Sequence, residues 1–323
     1  MKKAIARGIG VVSGMVVAGS LSAQTFPAKT MTLIVPFPPG AATDVFARAA
    51  GKRMGELMGQ QIVVLNRDGA SGAIGTEQVA RAAPDGYTLL WGSSGPLAIS
   101  PVWTEKMPYE PLRDFAPVSL FAKIPYLLLL HPSVPAKNVK ELVALAKAQP
   151  GKLNFASSGV GGTAHLAAEL FQSMTGIRCT HVPYRGTSLF VTELIAGQVE
   201  WAFAGPTTAL SPVNSGRLRG LAISSAKRSE LFPAVPTMAE AGLPGYEFTQ
   251  WYGLLVPAKT PREIVNQLNA TLLKAMEDPE VKKRIAHEGG AASQGTPEEF
   301  SAFLKRELAS NAKMIKDAGL KRE

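Results

Sequence analysis

Residues 31–58 read MTLIVPFPPGAATDVFARAAGKRMGELM, and this stretch decides the fold class. Met31–Phe37 is an apolar run that predicts a buried strand, and Pro38–Ala42 supplies a turn. From Thr43 onward the apolar residues recur at helical spacing, so a helix is predicted directly after the turn. A strand, a short turn and a helix form the first βα unit of an α/β fold.

Further strands and helices alternate along the rest of the chain. Strands are predicted at Gln61–Leu65, Tyr87–Trp91, Leu153–Ala156, Thr180–Tyr184, Val199–Phe203 and Leu218–Ser224, and helices at Val139–Ala148, Thr163–Met174, Ser188–Ile195 and Thr207–Ser215. Phe115–Leu130 and Phe248–Val256 are long extended segments. βα units of this length favour parallel sheets, because right-handed crossovers cover both faces. The prediction is an α/β protein with two doubly wound domains that two crossover strands connect.

The two extended segments also predict where the chain divides. Residues 24–125 and 250–323 are expected to form domain 1, and residues 126–249 to form domain 2. A ligand cleft is expected between the domains, because ligands of open α/β sheets bind beyond the carboxyl ends of the strands. The two crossings would act as a hinge, and a monomer is expected.

The composition excludes several classes of protein. The chain has 323 residues, 46% of them hydrophobic, with one Cys and four His. One Cys leaves no intrachain disulfide and no Cys-cluster metal site, and the His residues do not fall at ligand spacings, so neither a metal nor a cofactor is expected. The formal net charge is +9, but the basic residues are dispersed, so nucleic acid is not an expected partner.

The N-terminus has the three-part plan of a secretory signal peptide. Lys2, Lys3 and Arg7 make the first segment basic, residues 8–19 form an apolar run too short to span a bilayer, and small residues follow. Residues 1–23 are therefore expected to be a signal peptide that is cleaved near Ala23, with Ser20 and Ser22 as alternatives. The mature protein is expected in the periplasm.

Three strand-to-helix turns are rich in small residues: Pro38–Asp44, Ser157–Thr163 and Gly205–Thr208. Free N–H groups at a helix N-terminus, together with the helix dipole, bind carboxylate or phosphate without an arginine. Ordinary turn and N-cap chemistry accounts for most loops of this composition, so each turn alone is weak support for a site. Asp44 is likewise open between two roles, stabilising the helix dipole and contacting a ligand.

Two enzymatic interpretations are weak. Gly159–Ala164 fits G-x-G-x-x-[G/A] after a strand, but the acidic residue of a dinucleotide site is missing about twenty positions later, where His181–Tyr184 stands. No G-x-S-x-G nucleophile elbow is present, and Ser158 with His165 lacks an oriented acid. The protein is expected not to be an enzyme, and an exported serine hydrolase remains the alternative.

A series of short motifs follows the chain from Met31 to the C-terminal helix. They are residues 34–40 (IVPFPPG) with Thr43 and Asp44, then residues 64–67, 83–90, 114–118, 154–159 with His165, 182–186, 225–228, 235–237, 239–242, 251–253 and 296–300. In these motifs and their order the chain resembles the Bug-type periplasmic solute-binding proteins, the receptor family of tripartite tricarboxylate transporters. The resemblance implies a fold like that of type II periplasmic binding proteins, in which two domains close on a ligand as a Venus flytrap does.

The resemblance also implies a function and a set of site residues. It implies a non-catalytic receptor that captures a small carboxylate for the membrane subunits of a transporter, and a receptor that reports to a sensor protein is the alternative. The loops that match residues 37–44 and 157–163 would hold the ligand carboxylate. The expected ligand-binding residues are Phe37, Pro39, Gly40, Ala41, Ala42, Thr43, Asp44, Ser93, Ser94, Ser157, Ser158, Gly159, Gly161, Gly162, Thr163, His165, Tyr184, Ala204, Gly205, Pro206 and Thr207.

Two departures from the family pattern bear on the ligand. Ala41 and Ala42 stand where the family often has two glycines. Residues 204–206 read AGP where the family frequently has an Asp. Without that carboxylate a ligand with an ammonium group is less favoured, so a dicarboxylic or aromatic acid is the expectation.

Overall fold

The computed structural model describes residues 26–317 and residue 319, and the expected signal peptide lies outside the described residues. The strands are β1 (Met31–Val35), β2 (Ile62–Asn66), β3 (Thr88–Ser93), β4 (Phe115–Pro125), β5 (Leu127–Leu130), β6 (Asn154–Ser157), β7 (Thr180–Pro183), β8 (Trp201–Ala204), β9 (Arg219–Ile223), β10 (Thr249–Pro257) and β11 (Ala291–Ala292). The helices are α1 (Ala42–Met58), α2 (Ala73–Ala80), α3 (Ser100–Trp103), α4 (Pro111–Asp114), α5 (Val139–Ala148), α6 (Thr163–Thr175), α7 (Thr187–Ile195), α8 (Pro206–Asn214), α9 (Arg262–Met276), α10 (Pro279–His287) and α11 (Pro297–Asp317).

The strands form two sheets. One sheet has six strands in the order β11-β4-β10-β3-β1-β2, and the other has five in the order β7-β6-β8-β5-β9. β4 ends the chain's first passage through the six-stranded sheet and leads directly into β5 of the five-stranded sheet, and β10 brings the chain back. The prediction of two α/β units joined by two crossover strands is confirmed.

The sheets are mixed, whereas parallel sheets were predicted. β1 is parallel to β2 and β3, and β6 is parallel to β7 and β8. The connecting strands run the other way, since β10 is antiparallel to β3 and β4, and β5 is antiparallel to β8 and β9. A strand that arrives from the other sheet needs no helical crossover within its own sheet. The prediction of parallel strands was based on right-handed βαβ connections, and this rule therefore does not determine the direction of β5 or β10.

The helices pack around the two sheets as amphipathic elements. α1 buries Phe46, Ala50 and Met54, and its C-terminus is closed by Gly59, whose φ of 66° is the left-handed conformation that favours glycine. Within residues 26–317, no helix is both long enough and apolar enough to cross a bilayer.

Each sheet has its own aromatic core. Fully buried rings include Phe46, Trp91 and Phe121 at the six-stranded sheet and Phe155, Phe171 and Trp201 at the five-stranded sheet. The core of the five-stranded sheet also contains side chains from segments next to the other sheet. Ile99 and Trp103 come from the region of α3, and Met314 and Ile315 come from α11. The two units therefore share packing as well as the crossover strands.

Candidate functional site

Two adjoining cavities lie between the two α/β units and form one cleft. The larger cavity has a volume of about 780 Å³ and the smaller about 250 Å³. Ser158 and Gln250 line both cavities, so the cavities meet at these two residues. A cleft of this size is suited to a small organic molecule.

Helices α1 and α6 begin at the junction of the two cavities, and each belongs to a different sheet. Ala42 and Ala164 line the smaller cavity, and Thr43 and Thr163 line the larger. The N–H groups of these four residues have no hydrogen-bond partner in the part of the chain that the structure describes. The cleft is therefore lined by unpaired backbone N–H donors and by the positive ends of two helix dipoles.

Helices that reach the cleft begin without side-chain caps. The N-cap residues of α1, α2, α6, α7 and α8 are Ala41, Gly72, Gly162, Gly186 and Gly205, and none forms a side-chain hydrogen bond to its helix. Away from the cleft, side chains cap α5, α10 and α11, whereas α9 also begins without a side-chain cap. Ala and Gly leave the first N–H groups available to a ligand, whereas Ser, Thr, Asp or Asn would occupy them.

Neutral polar side chains from the two crossings form the base of the cleft. Tyr126 follows β4, Gln250 and Tyr252 lie on β10, and all three line the smaller cavity. Burial raises the pKa of both tyrosines above the ordinary value, partly opposed by Thr163 at Tyr126 and by Thr43 at Tyr252, so both phenols keep their protons. The hydroxyl of Thr163 donates to Oε1 of Gln250 over 3.1 Å and joins α6 to β10. The sequence analysis missed all three residues on the crossings.

Few ionised side chains line the cleft. Among its described lining residues, Lys106 is the one cation and no arginine is present. Glu77 lines the larger cavity and Glu288 the smaller. Glu288 follows α10. The next residue, Gly289, packs so closely on Pro206 that a Cβ added to Gly289 would lie 2.4 Å from Cβ of Pro206. A carboxylate is thus present beside residues 204–206, although the turn itself carries none.

Asp44 is hydrogen-bonded within the protein on both carboxylate oxygens. Oδ2 accepts the N–H of Gly40 and Nε of Arg48, each over 3.0 Å, and Oδ1 accepts Nδ2 of Asn66 over 2.9 Å. Burial raises the pKa of Asp44, but hydrogen bonds from Arg48, Gly40 and Asn66 outweigh it and hold the pKa below 3.8. Asp44 lines neither cavity, so its observed contacts are those of a residue that shapes the turn.

The structure brings many of the expected site residues to the cleft and places others outside it. Those that line it are Phe37, Ala42, Thr43, Ser158, Gly159, Gly161, Gly162, Thr163, Ala204, Gly205, Pro206 and Thr207. Those that do not are Pro39, Gly40, Ala41, Asp44, Ser93, Ser94, Ser157, His165 and Tyr184. Ser93 pairs with Tyr252 inside the sheet, and Ser94 lines a separate cavity of about 220 Å³ beside α11.

No serine–histidine pair faces the cleft among the described residues. Oγ of Ser157 lies 2.7 Å from Nε2 of His181, but Ser157 is fully buried and lines neither cavity. Ser158 does line the cleft, yet His165 is engaged elsewhere, with Gly161 at Nδ1. A nucleophile must reach its substrate and its base together, and neither serine meets both requirements.

The profile of the tripartite tricarboxylate transporter family receptor matches residues 46–320. The chain belongs to this receptor family. The family consists of binding receptors, so the prediction of a receptor in place of an enzyme is confirmed.

Named relatives of this receptor cover nearly its whole length. It is 38% identical over 306 residues to Protein BugT of Bordetella pertussis, with 94% of each chain covered. The solved structure of Rpa4515 from R. palustris with adipate is 35% identical at a TM-score of 0.77, covering 92% of this receptor and 99% of that chain. MatC (Rpa3494) from Rhodopseudomonas palustris with bound malate is 31% identical at a TM-score of 0.73, covering 90% of this receptor and 100% of that chain.

Proposed function

We propose that this receptor captures a small organic carboxylate at the junction of its two cavities. The proposal rests above all on the N-termini of α1 and α6, whose first two residues line the cleft and have N–H groups without a partner among the described residues. A carboxylate between them would accept hydrogen bonds from both units at once and would lie at the positive ends of two helix dipoles. Ligand binding and approach of the two units would then be the same event.

The surrounding side chains support an anion held mainly by neutral donors. Ser158, Tyr126 and Tyr252 present hydroxyl groups to the cleft, and with Lys106 as the one lining cation among the described residues no ion pair dominates. Hydrogen bonds to an ionised acceptor are stronger than those between neutral groups, so such donors suffice for a carboxylate.

A dicarboxylic or aromatic acid is the class of ligand that we propose. The larger cavity has apolar side chains on its wall, among them Ile74, Trp103 and Val160, which suit an acid with an apolar body. Relatives with adipate and with bound malate support a dicarboxylate. Glu288 allows an ammonium group in the smaller cavity, so amino acids are the informative competitors, and tighter binding of amino acids would contradict this class.

We propose that residues 24–125 with 250–323, and residues 126–249, move as two domains about the crossings near Tyr126 and Gln250. The proposed setting is the periplasm, after cleavage near Ala23, with membrane subunits of a tripartite transporter as partners. The receptor family supports that partnership. A sensor protein as partner is the alternative, and loss of uptake of the ligand in cells that lack this receptor would favour the transporter.

A thermal-shift screen of the mature protein tests the ligand class. The panel should contain mono-, di- and tricarboxylates, aromatic acids and amino acids. A ligand at a hundred times its dissociation constant should stabilise the protein by about 2.7 kcal/mol, which is several degrees. Mass spectrometry should recover the bound acid unchanged. A panel without any stabilising carboxylate, after removal of co-purified ligand by unfolding and refolding, would contradict the proposal.

Ser158→Ala tests the junction of the cavities directly. The hydroxyl of Ser158 has no hydrogen-bond partner among the described residues, so a ligand is free to take it. We expect the substitution to weaken binding of the best acid by about 1 kcal/mol, measured by isothermal titration calorimetry. Ser215→Ala is the control, because its hydroxyl is exposed and bonds the carbonyl of Ser211 within its own helix end. Equal affinities of both variants would exclude a role for the Ser158 hydroxyl.

A further inference from the structure

Two histidines contact the loop between β6 and α6, residues 157–162, and neither of them lines the cleft. Gly161 donates its N–H to Nδ1 of His165 over 3.1 Å. At the other end of the loop, Oγ of Ser157 lies 2.7 Å from Nε2 of His181 and accepts the N–H of Gly159 over 3.1 Å. The opposite face of the loop lines the cleft.

The two imidazoles stack on each other in the interior of the protein. Their ring centroids are 4.0 Å apart and their planes differ by 19°. Both rings also stack on Phe155, with centroid distances of 6.1 Å from His165 and 4.8 Å from His181. Neither ring lines a cavity of the cleft, and His165 is only 3% exposed. Contact with a ligand therefore does not account for the pair.

The hydrogen bonds of His165 assign the position of its proton. Because Nδ1 accepts the N–H of Gly161, the neutral ring carries its proton on Nε2. Nε2 lies 3.5 Å from Oε1 of Glu169. A second proton would have to bind Nδ1. The Nδ1–H donor would then point at the N–H of Gly161, which is also a donor, and the hydrogen bond to Gly161 would break.

We propose that His165 and His181 are positioning residues that hold residues 157–162 in their cleft-lining conformation, and that a proton on Nδ1 of His165 releases this loop at Gly161. The consequence for binding rests on the proposed function, because the loop leads into the N-terminus of α6. The hold on the loop itself can be tested without any ligand. A charge on the buried ring of His165 would lie against a second imidazole and the face of Phe155, with little water to solvate it.

The surroundings of His181 keep this ring neutral near physiological pH. Burial, with a smaller contribution from His165, lowers the pKa of His181 to about 4. The carboxylate of Glu169 is shared with Gln172, which donates to it over 3.1 Å. Burial raises the pKa of the Cys179 thiol to about 11, with Glu200 and Glu169 adding to the rise, so this neighbour is uncharged. The bond that holds the loop at Gly161 is lost when a proton binds Nδ1 of His165, because Nδ1 then becomes a donor and no longer accepts this N–H.

Hydrogen–deuterium exchange of the ligand-free protein tests the hold. In His165→Leu the N–H of Gly161 loses its acceptor, and we expect the peptide covering residues 158–163 to exchange about tenfold faster at neutral pH. In His165→Asn the side-chain oxygen replaces Nδ1 as acceptor, and we expect exchange close to that of the wild type. His131→Asn is the control, because His131 bonds Ser133 in its own turn and lies outside the cleft lining.

Exchange within α9 shows whether a variant has lost stability throughout. If α9 is unchanged and the loop peptide of His165→Leu exchanges at the wild-type rate, the positioning role is overturned. If α9 exchanges faster by the same factor as the loop, His165 is merely structural and the role is overturned as well. A selective increase in the loop, with rescue by His165→Asn, supports it.

The pH profile tests the release. After correction for the intrinsic chemistry of exchange, the N–H of Gly161 in the wild type should exchange faster as the pH is lowered from neutral to about 4, because a proton on Nδ1 of His165 removes its acceptor. The His165→Asn loop should stay flat at Gly161, because an amide oxygen does not titrate there. A flat wild-type profile would overturn the release by a proton.

Adipate is the probe for the consequence in binding. If adipate binds the wild type, we expect His165→Leu to bind it about tenfold more weakly and His165→Asn to bind it nearly as well. Equal adipate affinities of wild type and His165→Leu would overturn the link between the histidines and the ligand. Failure of the wild type to bind any carboxylate would contradict the proposed function, whereas the exchange profile would still decide the role of the histidines.

Discussion

Asp44 shapes one wall of the cleft from outside it. Its carboxylate joins the turn at Gly40 to Asn66 at the end of β2, and Asn66 in turn donates to the carbonyl of Phe37 over 2.9 Å. Phe37 and Thr43, which flank this turn, both line the larger cavity. The position of the α1 N-terminus therefore depends on a side chain that has no free oxygen for a ligand.

Asp44→Asn should destabilise the protein in a pH-dependent way. The pKa of Asp44 is held below 3.8, so its contribution to stability is present above the unfolded-state pKa and is lost as the pH falls through the folded-state value. We expect a loss of about 1–3 kcal/mol in the free energy of unfolding near neutral pH, measured in urea, and a smaller difference from wild type below about pH 4. The exposed Asp68, which forms no ion pair among the described residues, provides the control Asp68→Asn. A loss that is the same at every pH would contradict this account.

Individual site residues were predictable only where a local pattern marked them. The small residues after β6 and β8 were found because a strand-to-helix turn is visible in the sequence. Tyr126, Gln250 and Tyr252 were missed because their meeting depends on two segments more than a hundred residues apart. His165 and Ser157 flank the right loop, but which residues around this loop face the cleft is set by tertiary packing. Adjacency to the expected crossings was the one signal that would have suggested Tyr126 and Gln250.

At the level of elements, Ser224 joins the two crossings to each other. It follows β9, and it is fully buried. Its Oγ accepts the N–H of Tyr126 over 2.7 Å and donates to the carbonyl of Phe248. Its backbone bonds the same two residues, with Ser224 N–H donating to Tyr126 over 2.9 Å and Phe248 N–H donating to Ser224 over 3.0 Å. One serine therefore holds the outgoing and the returning chain together.

Ser224→Ala should loosen this connection between the crossings. The substitution leaves the N–H of Tyr126 without its acceptor in a largely dry environment, and we expect a loss of about 1–3 kcal/mol in the free energy of unfolding, measured in urea. Ser225→Ala is the matched control, because the adjacent Ser225 is half-buried and its hydroxyl bonds the nearby carbonyl of Lys227. If the two alanine variants are equally stable, Ser224 does not hold the crossings.

The elements themselves were predictable to different degrees. α5 lies where periodicity predicted it, and the starts of α1 and α6 agree with the turn residues before them. α2 was not predicted; it contains Gly75, a residue that lowers helix propensity, and the close contact that requires this glycine is distant in sequence. A Cβ there would lie 2.5 Å from the carbonyl oxygen of Arg67 and 3.0 Å from Cα of Pro36. The antiparallel course of β10 was missed for a related reason, since strand direction depends on which sheet the chain comes from.

Over the whole molecule, the two units share more than their crossings. Trp103 and Met314 belong to the range expected for domain 1, yet both pack in the core of the five-stranded sheet. Asn311 of α11 holds this helix to the segment before α3 through a hydrogen bond to the carbonyl of Ala98 over 3.0 Å, and both residues lie in the range expected for domain 1. The domain limits drawn from the sequence remain a prediction. If the cleft closes, the segments that contain Trp103 and Met314 must either move with the five-stranded sheet or slide along it.

Met314→Ala tests how far the C-terminal helix stabilises the second core. Met314 is 5% exposed, and we expect the cavity left by truncation to cost about 2–5 kcal/mol in the free energy of unfolding, measured by denaturant titration. Met174→Ala is the control, because Met174 is 38% exposed. If both variants lose the same small amount, α11 does not contribute materially to that core.

The uncapped helices at the cleft imply that stability of the ligand-free protein and binding of the ligand oppose each other. Ser or Asp in place of Ala41 or Gly162 would satisfy the first turn of α1 or α6 and stabilise the empty protein by about 1 kcal/mol. The same side chain would occupy the N–H groups that a carboxylate needs. A laboratory selection for thermostability without ligand would therefore favour sequences that are more stable but no longer bind the ligand. The same selection with ligand present would preserve these alanine and glycine positions, because the bound acid would itself complete the helices.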